Sequence, residues 1–328
     1  MDSIAAAAPA ATSHGDDDVG GGGDAGSEHA LATEEWLVAR VLERVTDARE
    51  VFRLAVLNRN FWAASLSDQV WQKRLPPRPV LEAITAPVFS SKRDLYIRLC
   101  KSVTFDDGLK KFWLEPVASG AGECYMISAR GLTIIWGDTA DYWEWKPWPG
   151  AMFPEVAYLH SVCWFEIKGT FRQVLRPGKY LVSFRMQLHS FREWQGSPIK
   201  LCVQNITYAH PCHLSQVLFD NAPSKRRSCP VPKPSAASTS ASPDTDEGSD
   251  DNAVWAEGSC DAFGNSNSPE WVECDVGEFL VEDDNIEGRP IEVEFSMREI
   301  DVLWWKGGFV LDGVIIRPYN VAEDATTE

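Results

Sequence analysis

Tyr180 to His189, YLVSFRMQLH, decides the fold. Tyr180, Val182, Phe184, Met186 and Leu188 point one way, and Ser183, Arg185, Gln187 and His189 the other, which is the period of two of a strand half-buried against a core. Outward from it, Val162 to Lys168, Ile199 to Ile206, Trp271 to Cys274, Phe279 to Val281, Ile291 to Met297 and Phe309 to Ile316 read as further strands. Tyr125 to Ala129 and Leu132 to Trp136 complete the set. Roughly nine short strands with no helical pattern between them exclude alternating βαβ units. They predict a mainly β chain, an antiparallel jelly-roll-like β-sandwich.

Upstream the period changes. Leu37, Val41, Leu42 and Val45 recur at helical spacing, Thr46 and Asp47 cap a second segment, Phe61 and Trp62 sit on a third, and Ser67-Asp68 opens a fourth that Pro76-Pro77 ends after Leu75. Residues 31–76 therefore read as an N-terminal all-α domain. A unit so small buries little apolar area alone, so it is expected to dock on a partner or on the next domain. Residues 77–122 read as a proline-rich connector with short helices at Lys92 to Cys100 and Phe112 to Leu114, broken at Gly120 to Gly122. The sandwich is expected over 123–320, interrupted by a flexible acidic insertion at 222–261 and followed by a tail at 321–328.

Charge supports this division. Residues 1–30, read as a disordered tail, hold six acids and no Lys or Arg, and 234–261 hold seven acids and no base, so these two stretches carry most of the formal charge of −17. The folded part is only mildly acidic, and no basic stripe suited to nucleic acid or membrane phosphate is present. The first residues lack a signal peptide's basic and apolar regions, and no apolar run approaches the roughly twenty residues that span a bilayer. A chain of the cytoplasm and nucleus is expected. Eight cysteines are scattered without a CxxC pair, which predicts free thiols. His210, Cys212 and His213 have no second ligand pair at zinc spacing, so neither metal nor cofactor is expected.

Two tracts could carry chemistry. Trp136, Trp143, Trp145 and Trp148 crowd between Arg130 and Gly150, on a strand that opens into a loop. In Pro290 to Pro318, Glu292 and Glu294 share one strand face, with Glu299 and Asp301 beyond. Indole faces cover C–H groups while carboxylates accept hydrogen bonds from hydroxyls, a pairing suited to a polyhydroxylated ligand. The competing reading places the rings over the core and the carboxylates on a plain polar sheet face. Hydrolysis of a glycoside needs two carboxyl groups framing the scissile bond, which neighbours on one strand do not do. No nucleophile elbow, P-loop or dinucleotide fingerprint is present, so a non-catalytic protein is expected.

EVFRLAVLNRNFWAASLSDQVWQKRLP (Glu50 to Pro76) resembles an F-box, particularly the plant form joined to a lectin domain. That resemblance implies docking to a Skp-family adaptor, and through it a cullin, by Leu37, Val41, Leu54, Leu57, Trp71, Leu75 and Pro76. YMISARGLTIIWGDTADYWEWKPWPG, EVAYLHSVCWFEIKGTF, LRPGKYLVSF, WVECDVGEFL and IEVEFSMREIDVLWWKGGFVLDGVIIRP resemble the phloem protein 2 family. Its tobacco-agglutinin-like members are lectins for N-acetylglucosamine-containing glycans. The site so implied is Trp143 or Trp145 with Glu292 and Glu299, Glu294 being the weaker acid. Together the resemblances imply a substrate receptor of a ubiquitin ligase that selects glycoprotein clients. The alternatives are a free carbohydrate-binding lectin, or a protein-binding sandwich that has lost sugar binding.

Overall fold

The computed structural model describes residues 35–117, 120–190, 194, 198–219, 256–259, 270–283 and 289–319. Six helices come first: α1 (Glu35–Arg44), α2 (Ala48–Leu54), α3 (Arg59–Ser65), α4 (Asp68–Gln72), α5 (Arg78–Ala83) and α6 (Lys92–Leu99). The strands are β1 (Val103–Phe105), β2 (Lys110–Val117), β3 (Gly120–Ser128), β4 (Thr133–Ile134), β5 (Trp143–Lys146), β6 (Val156–Leu159), β7 (Phe165–Gln173), β8 (Gly178–Leu188), β9 (Ile199–Asn205), β10 (His213–Leu218), β11 (Ala256–Ser259), β12 (Val272–Val281), β13 (Ile291–Glu299) and β14 (Phe309–Pro318).

β14 is buried from Phe309 to Ile316, apolar but for Asp312, whose carboxylate is held by Arg185 and the amides of Met152 and Phe153, and a strand so enclosed needs cover on both faces. It pairs antiparallel with β3, β6 and β8, so it is the spine of an eight-stranded sheet that also holds β1, β2, β5 and β12. The second sheet runs β11-β10-β9-β13-β7-β4, antiparallel throughout except for the parallel β10–β11 pair. The alternating side chains of β8 and β13 meet between the sheets, where Phe184 and Phe295 lie 6.1 Å apart edge to face. Tyr125 against Phe171 and Phe165 against Phe309 make the same inter-sheet contact at 5.2 and 5.3 Å. The antiparallel sandwich read from the sequence is the observed fold.

The N-terminal helices form where expected. Asp47 accepts the amide of Arg49 and Asn58 those of Asn60 and Phe61, satisfying first-turn donors of α2 and α3. Trp71 is fully buried between Phe52 and Tyr96, and its indole donates to the Ser65 carbonyl at 2.7 Å. Arg74, also buried, donates to the carbonyls of Leu42, Val45 and Val70 and so closes the end of α1 against α4.

Some boundaries differ. Phe112 to Leu114, read as helical, lies in β2, and the glycines at 120–122 begin β3 opposite it rather than breaking the chain. β5 and β6 were not anticipated. Leu132 to Trp136 contributes only two residues to β4, and Pro79 stands in the first turn of α5 inside the expected connector. Trp271 to Cys274 and Phe279 to Val281 are one strand, β12, because Gly277 (φ +157°) absorbs a bulge against β8. Among the described residues the expectation of free thiols fails at one pair: Cys202 and Cys212 are joined by a disulfide, whereas Cys100, Cys124 and Cys163 are free thiols. Ala256–Ser259, inside the expected insertion, forms β11; the remaining expectations for 1–30, 222–255 and 321–328 lie outside the described residues.

The helices join the sandwich at a charged seam. Arg176, before β8, donates to the Leu75 carbonyl at 2.5 Å and places its Nε 2.8 Å from a carboxylate oxygen of Glu123 on β3. Glu123 is buried and its other oxygen has no hydrogen-bond partner among the described residues. Burial pushes its carboxyl up from 4.5 to about 6 against the opposing pull of Arg176. A carboxyl raised in the fold costs stability above that value; the cost fades as pH falls from about 6 towards 4.5. The native chain is therefore expected to gain about 2 kcal/mol relative to Glu123→Gln between pH 8 and pH 4.5. Paired denaturant titrations check this, and a pH-independent difference would contradict the seam's electrostatics.

Candidate functional site

The four clustered tryptophans have four different environments. Trp143, on β5, is 2% exposed, packs on Phe165, and donates its indole N–H to the Ile135 carbonyl at 3.1 Å. Trp145 is half-buried and donates to the Gly137 carbonyl at 2.9 Å, with the Arg130 guanidinium 3.8 Å from its ring centre. Trp148 turns to the outer face of the eight-stranded sheet, where it donates to Gln187 and stacks on Tyr158 at 5.6 Å. Trp136 is the exposed ring, at 41%, beside Tyr142.

These environments are coupled. Ile135 and Gly137 flank Trp136, so the indoles of Trp143 and Trp145 brace the turn that carries it. Trp136 itself has φ +52°, which a bulky residue adopts only when its surroundings hold it there. Trp143 is thus corrected from a ligand-stacking ring to a core residue whose polar tip supports the turn.

The acidic residues separate in the same way. Glu292 and Glu294 lie on the outer face of the six-stranded sheet, opposite Arg172 and Thr170 of β7. Glu299 lies about 23 Å from Glu292 by strand rise, at the other end of β13. It is 1% exposed and forms an ion pair with Lys306, which is fully buried. An external ligand has no access to it, and the expectation that Glu299 and Glu292 share a site is corrected on both grounds. The signal was present: Ile291, Val293, Phe295 and Met297 have odd numbers and face inward, and Glu299 has the same parity.

Around Glu299 and Trp143 the surface is aromatic, and most of it was not anticipated. Leu303, Trp304 and Trp305 are 74%, 66% and 58% exposed on the loop between β13 and β14, and Trp164 is 43% exposed just before β7. The start of β7 anchors all of them. Ile135 donates to the Glu166 carbonyl, Lys306 pairs with Val162 through backbone bonds in both directions, and the Lys306 ammonium donates to the Cys163 carbonyl at 3.0 Å. One end of the sandwich therefore presents Trp136, Trp164, Trp304 and Trp305 on turns fixed from beneath. Rigid exposed indoles suit recognition of a flat, partly apolar ligand face, since holding them in water costs apolar hydration.

On the helical unit the residues implied for adaptor docking also divide. Val41 and Leu57 are exposed, Leu37 and Leu54 are half-buried, and Trp71, Leu75 and Pro76 are buried in the helical core or its seam with the sandwich. The last three are corrected to structural residues. Trp36 and Trp62, at 62% and 49%, are exposed rings on the first and third helices. Among the described residues no cluster of three or more potential metal ligands occurs: Cys212 is in the disulfide and His210 pairs with Glu282. No described helix is long and apolar enough to cross a membrane.

The two classes of tryptophan are expected to respond oppositely to truncation. Trp143→Ala should cost about 3–5 kcal/mol in urea unfolding, and Trp304→Ala within about 0.5 kcal/mol of nothing. Comparable losses would contradict the division between bracing and presented rings.

The family model "Phloem protein 2" matches residues 122–318. The chain is 34% identical over 273 residues to F-box protein PP2-A15 of Arabidopsis thaliana, covering 82% of each. It is 31% identical to F-box protein PP2-A12 over 87% of this chain and 86% of that one, and 32% identical to F-box protein PP2-B10 over 84% and 89%, both also from Arabidopsis thaliana. These alignments are longer than the family match and so reach into the helices that precede it. The chain belongs to the phloem protein 2 family, as a plant F-box protein in which a helical box precedes the family's β-sandwich.

Proposed function

We propose that this protein is a non-catalytic substrate receptor of a Skp/cullin/F-box ubiquitin ligase, acting in the cytoplasm and nucleus. Its helical unit docks a Skp-family adaptor, and its sandwich captures glycoprotein clients through N-acetylglucosamine-containing glycans. The observation that carries the reading is the distribution of exposed large apolar side chains. The helical unit presents Trp36, Val41, Leu57 and Trp62, and the sandwich end presents Leu303, Trp304 and Trp305. Other large apolar side chains, such as Val88, Ile206 and Leu280, are also exposed, but both units offer exposed indoles, which suits one contact surface for an adaptor and another for a client. The names of the relatives support the first surface, and the family match supports the second.

Recognition would rest on indole faces covering sugar C–H groups, with polar edges supplying direction. Trp136, Trp164, Trp304 and Trp305 take the stacking role in this reading, and the residues beneath them support it. Affinity for one sugar is weak because little area is covered, so clients bearing several glycans are favoured.

Two measurements test the reading. Calorimetry of the full chain with a plant Skp-family adaptor should detect binding, and Val41→Asp with Leu57→Asp should weaken it at least about tenfold without unfolding, since both side chains are exposed. Undiminished binding would remove the adaptor role from this face. Titration with a trimer of N-acetylglucosamine should show binding that Trp136→Ala and Trp304→Ala each reduce. No binding by the folded native chain would leave the protein-binding sandwich as the better account.

A further inference from the structure

Three consecutive large apolar residues, Leu303, Trp304 and Trp305, stand in water on a loop with no secondary structure of its own. A free loop of this composition would fold its side chains back onto the sandwich, because burying each indole is favourable. Something holds them out. Beneath them, Glu299 directs one carboxylate oxygen to the backbone amides of Asp301 and Val302, at 3.0 and 2.8 Å. Its other oxygen meets the ammonium of Lys306. That ammonium also donates to the carbonyls of Val302, Trp304 and Cys163 at 2.9, 3.0 and 3.0 Å. Polar backbone groups of the loop are thus drawn inward onto one buried ion pair, which turns the apolar side chains outward.

We propose that Glu299 and Lys306 are positioning residues that present Trp304 and Trp305 to the ligand without touching it, through an ion pair that clamps the β13–β14 loop. This rests on the glycan-site reading above and changes the role of its most suggestive acid. A carboxylate that contacts a sugar needs a free lone pair at the surface. Glu299 is buried, with two amides and an ammonium on its oxygens. Asp301, two residues on, turns its carboxylate outward to Lys200 at 2.7 Å and joins the clamp only through its backbone amide.

The test uses the full chain with two readouts: hydrogen exchange of the 300–308 backbone in the ligand-free protein, and affinity for the N-acetylglucosamine trimer. Glu299→Gln keeps the volume and an oxygen for the two amides but removes the charge that neutralises Lys306. Faster exchange confined to 300–308, together with an affinity loss of at least about tenfold from lost preorganisation, is the expected result. Lost affinity with unchanged exchange would show that Glu299 contacts the sugar directly, and would overturn the proposal. So would faster exchange with full affinity, or no change in either. If Glu299→Gln does not fold, the neutral pair Glu299→Gln/Lys306→Met, which leaves no unpaired buried charge, replaces it under the same criteria. Full trimer affinity in Trp304→Ala/Trp305→Ala would refute the role of these two rings, and no trimer binding by the native chain would refute the glycan reading; either would remove the ligand half of the proposal. The exchange readout would still decide whether the clamp orders the loop.

Discussion

The ammonium of Lys306 has no access to water, and a buried charge without neutralisation and hydrogen bonds costs several kcal/mol. Its demand is met from three directions: Glu299 at the end of β13, Cys163 just before β7, and the carbonyls of its own loop. Glu299 is the register partner of Phe165, so the ion pair sits where the second sheet begins. Phe165 in turn packs against Trp143, Trp194 and Phe309, carrying the constraint into the eight-stranded sheet. A single buried charge thus fixes the end of the sandwich from which the exposed rings project.

The same division of labour recurs at the Trp136 turn. A tryptophan can be buried only if its one N–H finds an acceptor, and the carbonyls available to Trp143 and Trp145 are those on either side of Trp136. Core packing and presentation of the exposed ring are therefore one set of contacts. Replacing a bracing residue would disturb recognition without any direct contact with the ligand being lost. Arg176 joins the box to the sandwich by linking Glu123 to the Leu75 carbonyl. One continuous buried cluster extends from Val38 in the first helix to Ile316 in the last strand. Under the proposed function, a chain built this way would hold client and adaptor at a set separation, as transfer between them would need.

Much of the fold was legible because period is a local property. The alternation in β8 and β13 and the capped helical stripes could be read directly, since each follows from its own side chains. β2 was misread because Phe112, Trp113 and Leu114 form too short a run to fix a period, and their pairing with β3 is set across a turn. The Cys202–Cys212 pairing depends on neighbouring strands and left no mark in spacing. In the site, the right segments could be identified but not the right atoms. Trp and Glu suit sugar binding by chemistry, and burial decides which of them a ligand can reach. For Glu299 burial could have been inferred from strand parity; for Trp143 it depends on Phe165, which is far away in sequence. The exposure of Trp304 and Trp305 is not legible in their own tract, because it depends on the burial of Lys306 beside them.

The most direct test follows the indole N–H resonances of the folded protein during titration with an N-acetylglucosamine trimer, each assigned by single Trp→Phe replacement. Shifts at Trp136, Trp164, Trp304 and Trp305, with Trp143 and Trp194 unmoved, are the result this account requires. A dominant shift at Trp143 with the four exposed rings silent would contradict it, since the ligand would then be reaching a residue that the sandwich buries.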